Sequence, residues 1–466
     1  MAQPSVITRY APSPTGPLHV GGVRTALFNY LFTKKEGGKI ILRFEDTDKA
    51  RSKKEYETNI FESMEWLGLT YDAIYKQSER TLVYRKYLEQ MIKDGTAYIS
   101  NEVATVKDDG EGEEEEDVSG ERRSEVIRFK NPNTRVTFSD IALGEISVEV
   151  AELKDFIIAK SLDEPLYHFA VVVDDFEMGV THVIRGADGV YNTPRQILIQ
   201  EAIKAPRPKY CHIPFVLGPD KAKLSKRNGS VSVTEYRDLG YLPGALINYL
   251  ALLGWHPEDE REIFTMEELI DTFDITKVQK SGAIFDIEKL RWINREHIKK
   301  MSDTEFKKIV TEWFPKDIKN LPQWTEERLD RILPEIKDRI STFGEVRTLA
   351  ASGEFDYMFD APVYDAGLLI PTSKNDSAPE KTTIEKHLAW VANKLTALNA
   401  ESFTKDGVKD ALWEYATKEG RGDVLWPMRI ALSGRDKSPD PFTLSSLFGK
   451  EETLSRISGA ITKLRT

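Results

Sequence analysis

The chain is almost devoid of cysteine, since Cys211 is the single one in 466 residues. One cysteine excludes an intramolecular disulfide and is typical of proteins that fold in a reducing compartment. A basic segment followed by an apolar run is also missing near the N-terminus, so we expect no secretory signal. The longest apolar stretch, residues 245–255, is far shorter than the roughly 20 residues that span a bilayer. These absences predict a cytoplasmic protein without membrane contact.

Positive charge is also scarce, with 65 Lys and Arg residues against 76 Asp and Glu residues and a net charge of −11. At face value this balance argues against a nucleic-acid partner. Eight of the negative charges, however, lie in one run, DDGEGEEEED at residues 108–117. Its composition predicts a solvated loop, with chelation of a hard cation as the alternative. Because local patches rather than total charge bind phosphate, a nucleic-acid partner is not excluded.

Apolar residues make up 40% of the chain, enough for sizeable cores, and its length predicts about three domains. Residues 6–10 and 39–44 have the pattern of buried strands, and residues 23–31 between them have that of a helix. A strand, a helix and a second strand in this order predict an α/β fold with a parallel sheet and a right-handed crossover. Ligands of such sheets bind at the carboxyl ends of the strands, where Arg9 and Glu45 lie.

The rest of the chain divides into a strand-rich and a helical part. Residues 169–175 and 181–185 are predicted to return to strands, which would form the second half of the parallel-sheet domain. Beyond Tyr241 the pattern is helical, and the last third of the chain is predicted to be all-helical. The predicted helices cover residues 245–253, 266–273, 304–313, 327–339 and 384–398.

Two short motifs carry the chemistry: PSPTGPLHVGG at residues 12–22 and KLSKR at residues 223–227. His19 stands where a strand gives way to a helix, and the two glycines after it let backbone approach a flat ligand closely. Lys223 and Lys226 can neutralise charge that develops on a pyrophosphate leaving group. A surface histidine and a solvated basic loop are the alternatives for each motif alone. Together they predict a site that opens a nucleoside triphosphate between its α and β phosphates.

These motifs resemble the HIGH and KMSKS signatures of class I aminoacyl-tRNA synthetases. The resemblance runs from about Val6 to the C-terminus, fails chiefly between residues 101 and 124, and is weaker in LWPMR (residues 425–429) and GKEE (449–452). Four further strings resemble the glutamyl-tRNA synthetases of bacteria and organelles: RYAPSPTG (residues 9–16), RFEDTD (43–48), YLP (241–243) and ALINYL (245–250).

The resemblance implies a Rossmann-like parallel-sheet catalytic domain with an inserted connective segment, followed by an all-helical anticodon-binding domain. We predict that residues 1–58 and 154–238 form the two halves of the catalytic domain. Residues 59–153 would be the connective insert that contacts the acceptor end, residues 239–320 a helical region that contacts the tRNA stem, and residues 321–466 the anticodon-binding domain. Because no heptad seam is apparent, we expect a monomer.

The resemblance also implies the reaction: L-glutamate is ligated to tRNA(Glu) through glutamyl-adenylate, with ATP and Mg²⁺. It makes His19, Gly22, Lys223 and Lys226 catalytic, with Lys226 on the β and γ phosphates and Lys223 beside it. Mg²⁺ is expected because proteins commonly bind this ion through the phosphates of the substrate. The implied ATP-binding residues are Thr15, Gly16, His19, Gly21, Gly22, Lys223, Leu224, Ser225 and Lys226.

Glutamate carries one ammonium and two carboxylates, so its pocket needs an acid and at least one arginine. The resemblance places Arg9 and Ser13 on the substrate, Glu45 on its α-ammonium, and Tyr167 and Arg185 around it. An arginine fork prefers a carboxylate to an amide, which would discriminate glutamate from glutamine.

Some nearby residues have a plainer interpretation. A salt bridge at the end of a strand is the alternative for Arg185. For Asp46 and Asp48 we favour helix N-caps over ligand contacts.

Three departures from the family pattern concern the catalytic and connective parts. Many relatives have RGDDH where this chain has RGADG at residues 185–189, and Asn228 replaces a frequent histidine after the basic motif. Many bacterial relatives also carry a Cys/His zinc knuckle in the connective insert, whereas this chain has no Cys or His between Asn101 and His168. A tetrahedral zinc site needs four such ligands, so we expect no structural zinc and name no metal-ligating residues in the protein.

Contacts with tRNA are predicted at Arg24 near the active site and at Arg429 and Arg435 in the helical domain. Trp426 and Phe442 would offer stacking surfaces to unpaired anticodon bases. A salt-bridged helix surface over a core tryptophan is the alternative.

Several functions remain open. An enzyme that also charges tRNA(Gln) would share every motif, and a catalytically silent tRNA-binding paralogue would lose His19 or Lys226, which are both present. A glutaminyl enzyme of the eukaryotic type would have a β-rich tail. A truncated relative that modifies a queuosine base would lack the C-terminal third.

Overall fold

The computed structural model describes residues 5–103, 123–224, 232–371 and 379–466. The chain forms two compact units, Met1–His297 and Ile298–Thr466. The acidic run at residues 108–117, and Ser225 and Lys226 of the basic motif, lie outside the described residues. In the part of the chain that is described, no helix is both long and apolar enough to cross a membrane.

A parallel sheet opens the first unit, in the order β1 (Ile7–Tyr10), β2 (Lys39–Phe44) and β3 (Ala73–Lys76). Helix α1 (Val20–Lys35) connects β1 to β2, and α2 (Lys54–Trp66) connects β2 to β3. The predicted strand–helix–strand unit is therefore confirmed. The side chains of α1 that were expected to face the core are buried, as are five of the six residues of β2.

A second sheet has the order β10 (His182–Gly186), β11 (Lys209–Ile213), β6 (Arg135–Asp140) and β7 (Gly144–Glu149). Helix α5 (Thr193–Ala202) connects the parallel strands β10 and β11. The Thr181 amide donates to the Ile7 carbonyl at 2.9 Å, which joins the start of β10 to β1. The two sheets are thus neighbours, and the carboxyl ends of β1, β2 and β10 can serve one site.

The prediction of a strand at residues 169–175 is wrong, because these residues belong to helix α4 (Tyr167–Glu177). All seven of them are buried. A helix that is buried on every side has no polar stripe, so its sequence shows a continuous apolar run like that of a central strand. The prediction of a strand at residues 181–185 is confirmed by β10.

An antiparallel sheet lies between these parts of the chain, in the order β4 (Ala97–Val103), β5 (Arg123–Phe129), β8 (Phe156–Ser161) and β9 (Glu164–Pro165). Helix α3 (Thr81–Lys93) precedes it. The first parallel sheet continues to β3, whereas the prediction ends its half-domain at residue 58. The division into five segments stays a prediction.

The first unit ends with a mostly helical stretch. A short parallel pair of strands, β12 (Val216–Leu217) and β13 (Ala283–Ile284), joins the start of this stretch to the segment before its last helix. Trp255 is fully buried among its aromatic neighbours, including Phe273 at a ring separation of 5.4 Å. The helices are α6 (Val233–Asp238), α7 (Pro243–Leu252), α8 (Met266–Thr272) and α9 (Ile287–Lys300).

Every regular element described in the second unit is a helix, which confirms the all-helical prediction for this part of the chain. The last helix contains Gly449 at φ 75°, a conformation that glycine adopts without strain, and bends there. The predicted boundaries for residues 304–313, 327–339 and 384–398 agree with the structure within three residues. The helices are α10 (Asp303–Trp313), α11 (Lys316–Lys319), α12 (Glu326–Arg339), α13 (Glu345–Ala351), α14 (Asp356–Phe359), α15 (Lys381–Thr396), α16 (Lys405–Glu419), α17 (Arg421–Ser433) and α18 (Pro441–Arg465).

Candidate active site

The turn after β1 is fastened to the segment after β2. The Glu45 amide donates to the Pro12 carbonyl, and the Lys53 amide donates to the Pro14 carbonyl, each at 3.0 Å. Ser13 and Thr15 lie exposed on this turn. The turn therefore places polar side chains beside Glu45 at the carboxyl edge of the sheet, where parallel sheets bind their ligands.

Helix α1 begins directly above this edge. His19 is its N-cap, and its Nδ1 accepts a hydrogen bond from the Gly22 amide at 3.3 Å. The first turn of a helix presents amide groups and the positive end of the helix dipole, which favour phosphate. The exposed imidazole of His19 adds a further donor or acceptor at the same point.

Gly22 is required by packing as well as by any ligand. A Cβ atom there would stand 2.8 Å from Leu18 Cδ1 and 3.1 Å from the Tyr10 hydroxyl. At Gly21 the nearest atoms, in the His19 ring, would be at 3.2 Å. A side chain at either position would therefore disturb the N-cap or the core beneath it.

The structure brings the flanks of the second motif to the first. Ser232 forms an isolated antiparallel bridge with His19, and the Val233 amide donates to the Leu18 carbonyl at 3.0 Å. On the other flank, the Leu224 amide donates to the Val216 carbonyl at 2.9 Å. One described end of the basic loop, at Ser232, is thus fixed beside the N-terminus of α1, and the other, at Leu224, is fixed to β12. Ser225 and Lys226 themselves are not described.

Lys223 is exposed at this loop. Its Nζ lies 3.6 Å from Asp188 Oδ2 and 4.9 Å from the centroid of the Phe215 ring. Both charged side chains are more than 60% exposed. This ion pair is weak and solvated, so Lys223 can leave it for a phosphate ligand.

A buried network of charges occupies the other side of the site. Arg9 Nε contacts Asp175 Oδ1 at 3.1 Å, and Arg43 Nη1 contacts the same oxygen at 2.6 Å. Arg43 Nη2 donates to Glu45 Oε1 at 3.1 Å. All four side chains are at most 8% exposed. Two arginines and two carboxylates thus neutralise one another, which lets them remain ionised away from water.

Asp174 extends this network away from the site. It accepts from Gln77 Nε2 at 2.9 Å, from Arg80 Nε at 2.7 Å and from the Tyr84 hydroxyl at 2.8 Å. Arg43 Nε lies 3.8 Å from its Oδ2. Arg43 is therefore held between the adjacent carboxylates of α4, and its position does not depend on a ligand.

The pKa shifts follow this arrangement. Burial tends to raise the pKa of Asp175, but Arg9 and Arg43 outweigh it and hold the pKa below its usual value. For Glu45 burial is the stronger effect, and its pKa is raised although Arg43 and Arg9 oppose the shift. An arriving cation would therefore favour the ionised form of Glu45.

Tyr167 lies within electrostatic reach of Arg185 and of the buried charge network. Loss of hydration raises the pKa of the Tyr167 hydroxyl, the charge of Glu45 raises it further, and Arg185, Arg9 and Arg43 oppose the shift. Arg185 Nη2 donates to the Thr193 hydroxyl at 2.7 Å, and its Nη1 is buried with no hydrogen-bond partner among the described residues. Arg9, Glu45 and Arg185 thus lie close enough to Tyr167 to influence its hydroxyl group.

Two family models match this chain. The catalytic-domain model of "tRNA synthetases class I (E and Q)" covers residues 5–292, and an "Anticodon binding domain" model covers residues 305–461. The glutamate–tRNA ligase of Heliobacterium modesticaldum is 37% identical, over 98% of this chain and 97% of the relative. That of Nitrosomonas eutropha is 39% identical, over 97% and 98%. The chain belongs to the glutamate–tRNA ligase family of class I tRNA synthetases.

Solved structures agree with this assignment. A glutamate tRNA ligase from Elizabethkingia meningosepticum, crystallised in complex with its amino acid, superimposes with a TM-score of 0.84 at 32% identity. The match covers 99% of this chain and all of the other. A glutamate-tRNA synthetase from Elizabethkingia anophelis gives a TM-score of 0.81 at 31% identity. The chain is thus an aminoacyl-tRNA synthetase with the fold of this family.

Arg24 corrects one expectation for this synthetase. Its side chain is 2% exposed, and its Nη1 donates to the Leu253 carbonyl at 2.8 Å while its Nη2 donates to the Pro214 carbonyl. Burial lowers its pKa to about 10. The prediction that Arg24 contacts tRNA is wrong, because this arginine ties α1 to two segments of the core.

The N-cap prediction for Asp46 and Asp48 is also wrong for the helix that follows, since α2 has Lys53 as its N-cap. Asp46 accepts from the amide and hydroxyl of Ser78, at 2.8 and 2.6 Å, and so links β2 to the turn after β3. Asp48 pairs with Arg51 at the surface.

The tRNA contacts predicted in the helical unit are only partly accessible. Arg435 donates to Glu354 at 2.7 Å and to the Gly353 carbonyl at 2.6 Å, and Arg429 donates to the Pro439 carbonyl at 3.2 Å. Phe442 is 6% exposed, which rules it out as an open stacking surface. Trp426 is half-buried and donates to the Leu368 carbonyl at 2.8 Å.

Sequence reasoning missed Arg43, Asp174, Asp175, Asp140 and His212. The sequence could have pointed to Arg43 and the two aspartates, because they adjoin apolar runs that predict burial. A buried charge needs a partner of opposite sign. Asp140 and His212 gave none. In the described ranges, no group of three or more His, Cys, Asp or Glu side chains is placed to hold a metal ion.

Proposed function

We propose that this chain ligates L-glutamate to tRNA(Glu) in two steps, with glutamyl-adenylate as the intermediate and ATP as the nucleotide. The observation that carries this proposal is a group of buried charges near Tyr167, in which Arg9 and Arg185 lie with the acid Glu45. Its charges complement an amino acid with a second carboxylate. The full-length relatives are glutamate–tRNA ligases, so a catalytically silent paralogue is not favoured.

On the amino-acid side, Arg9 and Arg185 bind the substrate carboxylates. Asp175 holds Arg9 through Nε, and no described side chain hydrogen-bonds the two Nη nitrogens of Arg9. Glu45 binds the α-ammonium, whose charge lowers the pKa of this carboxyl group against the effect of burial. Ser13 and Tyr167 complete the contacts. Glutamine would leave an arginine without its carboxylate, and this unpaired charge is the source of discrimination.

On the nucleotide side, Thr15, Gly16, Gly21 and Gly22 form the floor for ATP, and His19 contacts its phosphates. The substrate carboxylate attacks the α-phosphate in line, and negative charge moves to the pyrophosphate. Lys223 and Lys226 stabilise that charge, and Leu224 and Ser225 are the other predicted ATP-binding residues of this motif. The protein positions the reactants and supplies no covalent nucleophile. Mg²⁺ would arrive on the triphosphate and neutralise part of its charge.

In the second step a terminal ribose hydroxyl of tRNA takes the glutamyl group, and AMP leaves. Arg429 and Arg435 are the proposed tRNA contacts of the helical unit. Arg435 is about one third exposed, so it can exchange part of its contact with Glu354 for phosphate. We expect Arg435→Ala to raise the KM for tRNA and leave the KM for glutamate unchanged.

The test is charging of purified tRNA(Glu) and tRNA(Gln) with labelled glutamate, ATP and Mg²⁺. Ester on tRNA(Glu) alone means a discriminating enzyme, and ester on both means an enzyme that also charges tRNA(Gln). A Lys223→Ala variant should be about 100-fold slower. Absence of ester on both tRNAs, with tRNA still bound, would contradict the proposal and favour the silent paralogue.

We also propose that the enzyme acts as a cytoplasmic monomer. The single cysteine supports a reducing compartment, since it can form no intramolecular disulfide. Light scattering that gives the mass of one chain, 53.0 kDa, would support the monomer. A mass twice as large would contradict it.

A further inference from the structure

A buried chain of hydrogen bonds lies behind Arg185. His212 Nδ1 lies 2.6 Å from Asp140 Oδ2, and Arg185 Nε donates to His212 Nε2 at 3.0 Å. Exposure is 0% for His212, 2% for Asp140 and 8% for Arg185. Of these three residues, only Arg185 belongs to the proposed glutamate pocket. The chain therefore runs from the core into that pocket.

The direction of each hydrogen bond is fixed by chemistry. Arg185 Nε–H can only donate, so His212 Nε2 must carry the lone pair. The proton of the neutral ring is then on Nδ1 and is donated to Asp140. Asp140 is itself held by the amides of His212, Ala142 and Leu143, at 3.1, 3.0 and 2.9 Å. A rigid carboxylate thus sets both the tautomer and the ring orientation.

The rest of the guanidinium is held on one edge only. Nη2 donates to the Gly189 carbonyl at 3.0 Å and to the Thr193 hydroxyl at 2.7 Å. Nη1 is buried and has no hydrogen-bond partner in the described parts of the chain. A buried donor without a partner is costly, and a ligand carboxylate would satisfy it.

Gly189 leaves room for this arrangement. A Cβ atom at that position would stand 2.4 Å from Arg185 Nε and 2.7 Å from its Cδ. In this structure a side chain at position 189 would therefore have to shift the end of Arg185. Many relatives have histidine at this position, in RGDDH, so the slot is a feature of the RGADG string of this chain.

We propose that His212, backed by Asp140, is a positioning residue for Arg185, and that Gly189 provides the slot in which this arginine lies. Together they turn Nη1 toward the glutamate carboxylate and so set the preference for glutamate over glutamine. This inference rests on the proposed function, because it takes glutamate as the ligand of Arg185. His212 itself touches neither glutamate nor ATP.

The test compares His212→Leu with His212→Gln in tRNA(Glu) charging. Leucine removes the acceptor for Arg185 Nε, whereas the glutamine oxygen can reach the place of ring Nε2. We expect His212→Leu to raise the KM for glutamate about 100-fold and to keep the KM for ATP within about 2-fold. His212→Gln should recover most of the loss, to within about 10-fold of the wild type.

Gly189→Ala is the second variant, because it leaves His212 and its hydrogen bonds in place. It should likewise raise the KM for glutamate selectively and reduce the preference for glutamate over glutamine. Thermal unfolding compares His212→Leu and Gly189→Ala with the wild type. If His212→Leu proves to fold poorly, Gly189→Ala alone serves as the test. Equal effects on the KM values for glutamate and ATP, or no effect of Gly189→Ala on glutamate, would overturn the inference.

Failure of the inference and failure of the proposed function are distinguishable. If the wild type forms no glutamyl ester, the proposed function fails. If the wild type charges tRNA and Arg185→Ala loses glutamate affinity while His212→Leu and Gly189→Ala retain it, only the positioning role fails.

Discussion

The amino-acid side and the nucleotide side of the active site are built in opposite ways. On the amino-acid side, Arg9, Arg43 and Asp175 are almost fully buried and hold one another through ion pairs. On the nucleotide side, His19 and Lys223 are exposed, and the backbone around them is fixed. Buried charges that are already paired cannot move to suit a wrong substrate, whereas exposed cations can follow a charged group as it leaves.

This difference fits the two tasks. Selecting glutamate over glutamine depends on a few charges that stay in place. In a site of low polarity, an arginine left without a carboxylate partner costs binding free energy. Opening ATP requires access for a large anion and stabilisation of charge that appears only during the reaction. The following four variants test this contrast, from the largest expected effect to the smallest.

Asp175→Asn should have the largest effect. It leaves Arg9 and Arg43 buried without their shared carboxylate, which should lower the free energy of unfolding by about 3 to 5 kcal/mol and raise the KM for glutamate. Asp163→Asn is the matched control, since Asp163 pairs with Arg85 at the exposed surface and its loss should change the free energy of unfolding far less. Urea unfolding followed by circular dichroism measures both. Equal losses would contradict the role of burial.

Lys223→Ala should lower kcat about 100-fold, because it removes charge that acts mainly on the departing pyrophosphate. The KM for glutamate should stay within about 3-fold. Lys221→Asn removes the same charge from the same loop at φ 61°, a conformation that asparagine tolerates, and should leave kcat within about 2-fold. A similar loss in both variants would mean that general loop charge, rather than Lys223, is responsible.

Gly22→Ala should raise the KM for ATP about 10-fold, since the new methyl group would press on Leu18 and Tyr10 and shift the first turn of α1. Overpacking of this kind costs about 1 to 3 kcal/mol. Gly459→Ala adds a methyl group where no atom lies within 4 Å and should be neutral or stabilising by up to about 1 kcal/mol. Steady-state kinetics and thermal unfolding measure the two effects. An unchanged KM for ATP in Gly22→Ala would refute the packing argument.

His182→Asn should change the pH dependence of stability rather than activity. Burial, assisted by Lys209, lowers the pKa of His182 to about 4, whereas an unfolded histidine titrates near 6.5. Between these values the unfolded chain binds the proton more readily, so acidification destabilises the fold, and the loss stops below about pH 4. At pH 5.5 the wild type should have lost about 1 kcal/mol more than the variant. If the free energies of unfolding of the wild type and the variant changed equally between pH 7 and 5.5, the prediction would be contradicted.

Much of the fold could be predicted from sequence because its signals are local. The β1–α1–β2 unit and the helices of the second unit have apolar residues at the spacing of their own secondary structure. Helix α4 was mistaken for a strand because it is buried on every side. The positions of His19, Lys223 and Arg9 followed from family motifs, but their partners did not.

The partners could not be predicted because they are far apart in the chain. Asp175 reaches Arg9 across 166 positions, and His212 reaches Asp140 across 72. Arg24 shows the opposite error, since an arginine beside a phosphate-binding motif resembles a ligand until its burial is known. In each case the environment of a charge decides its role, and that environment is assembled from distant segments.

The sequence by itself determined the family, the parallel sheet, the helical second unit and the residue types available for chemistry, because motifs and hydrophobic periodicity are written in contiguous residues. Only the tertiary structure decided which arginine faces the pocket, which is locked in the core and which carboxylate holds each in place. Whether a charge can bind a ligand depends on its loss of water and on its nearest opposite charge. Both are properties of packing rather than of local sequence.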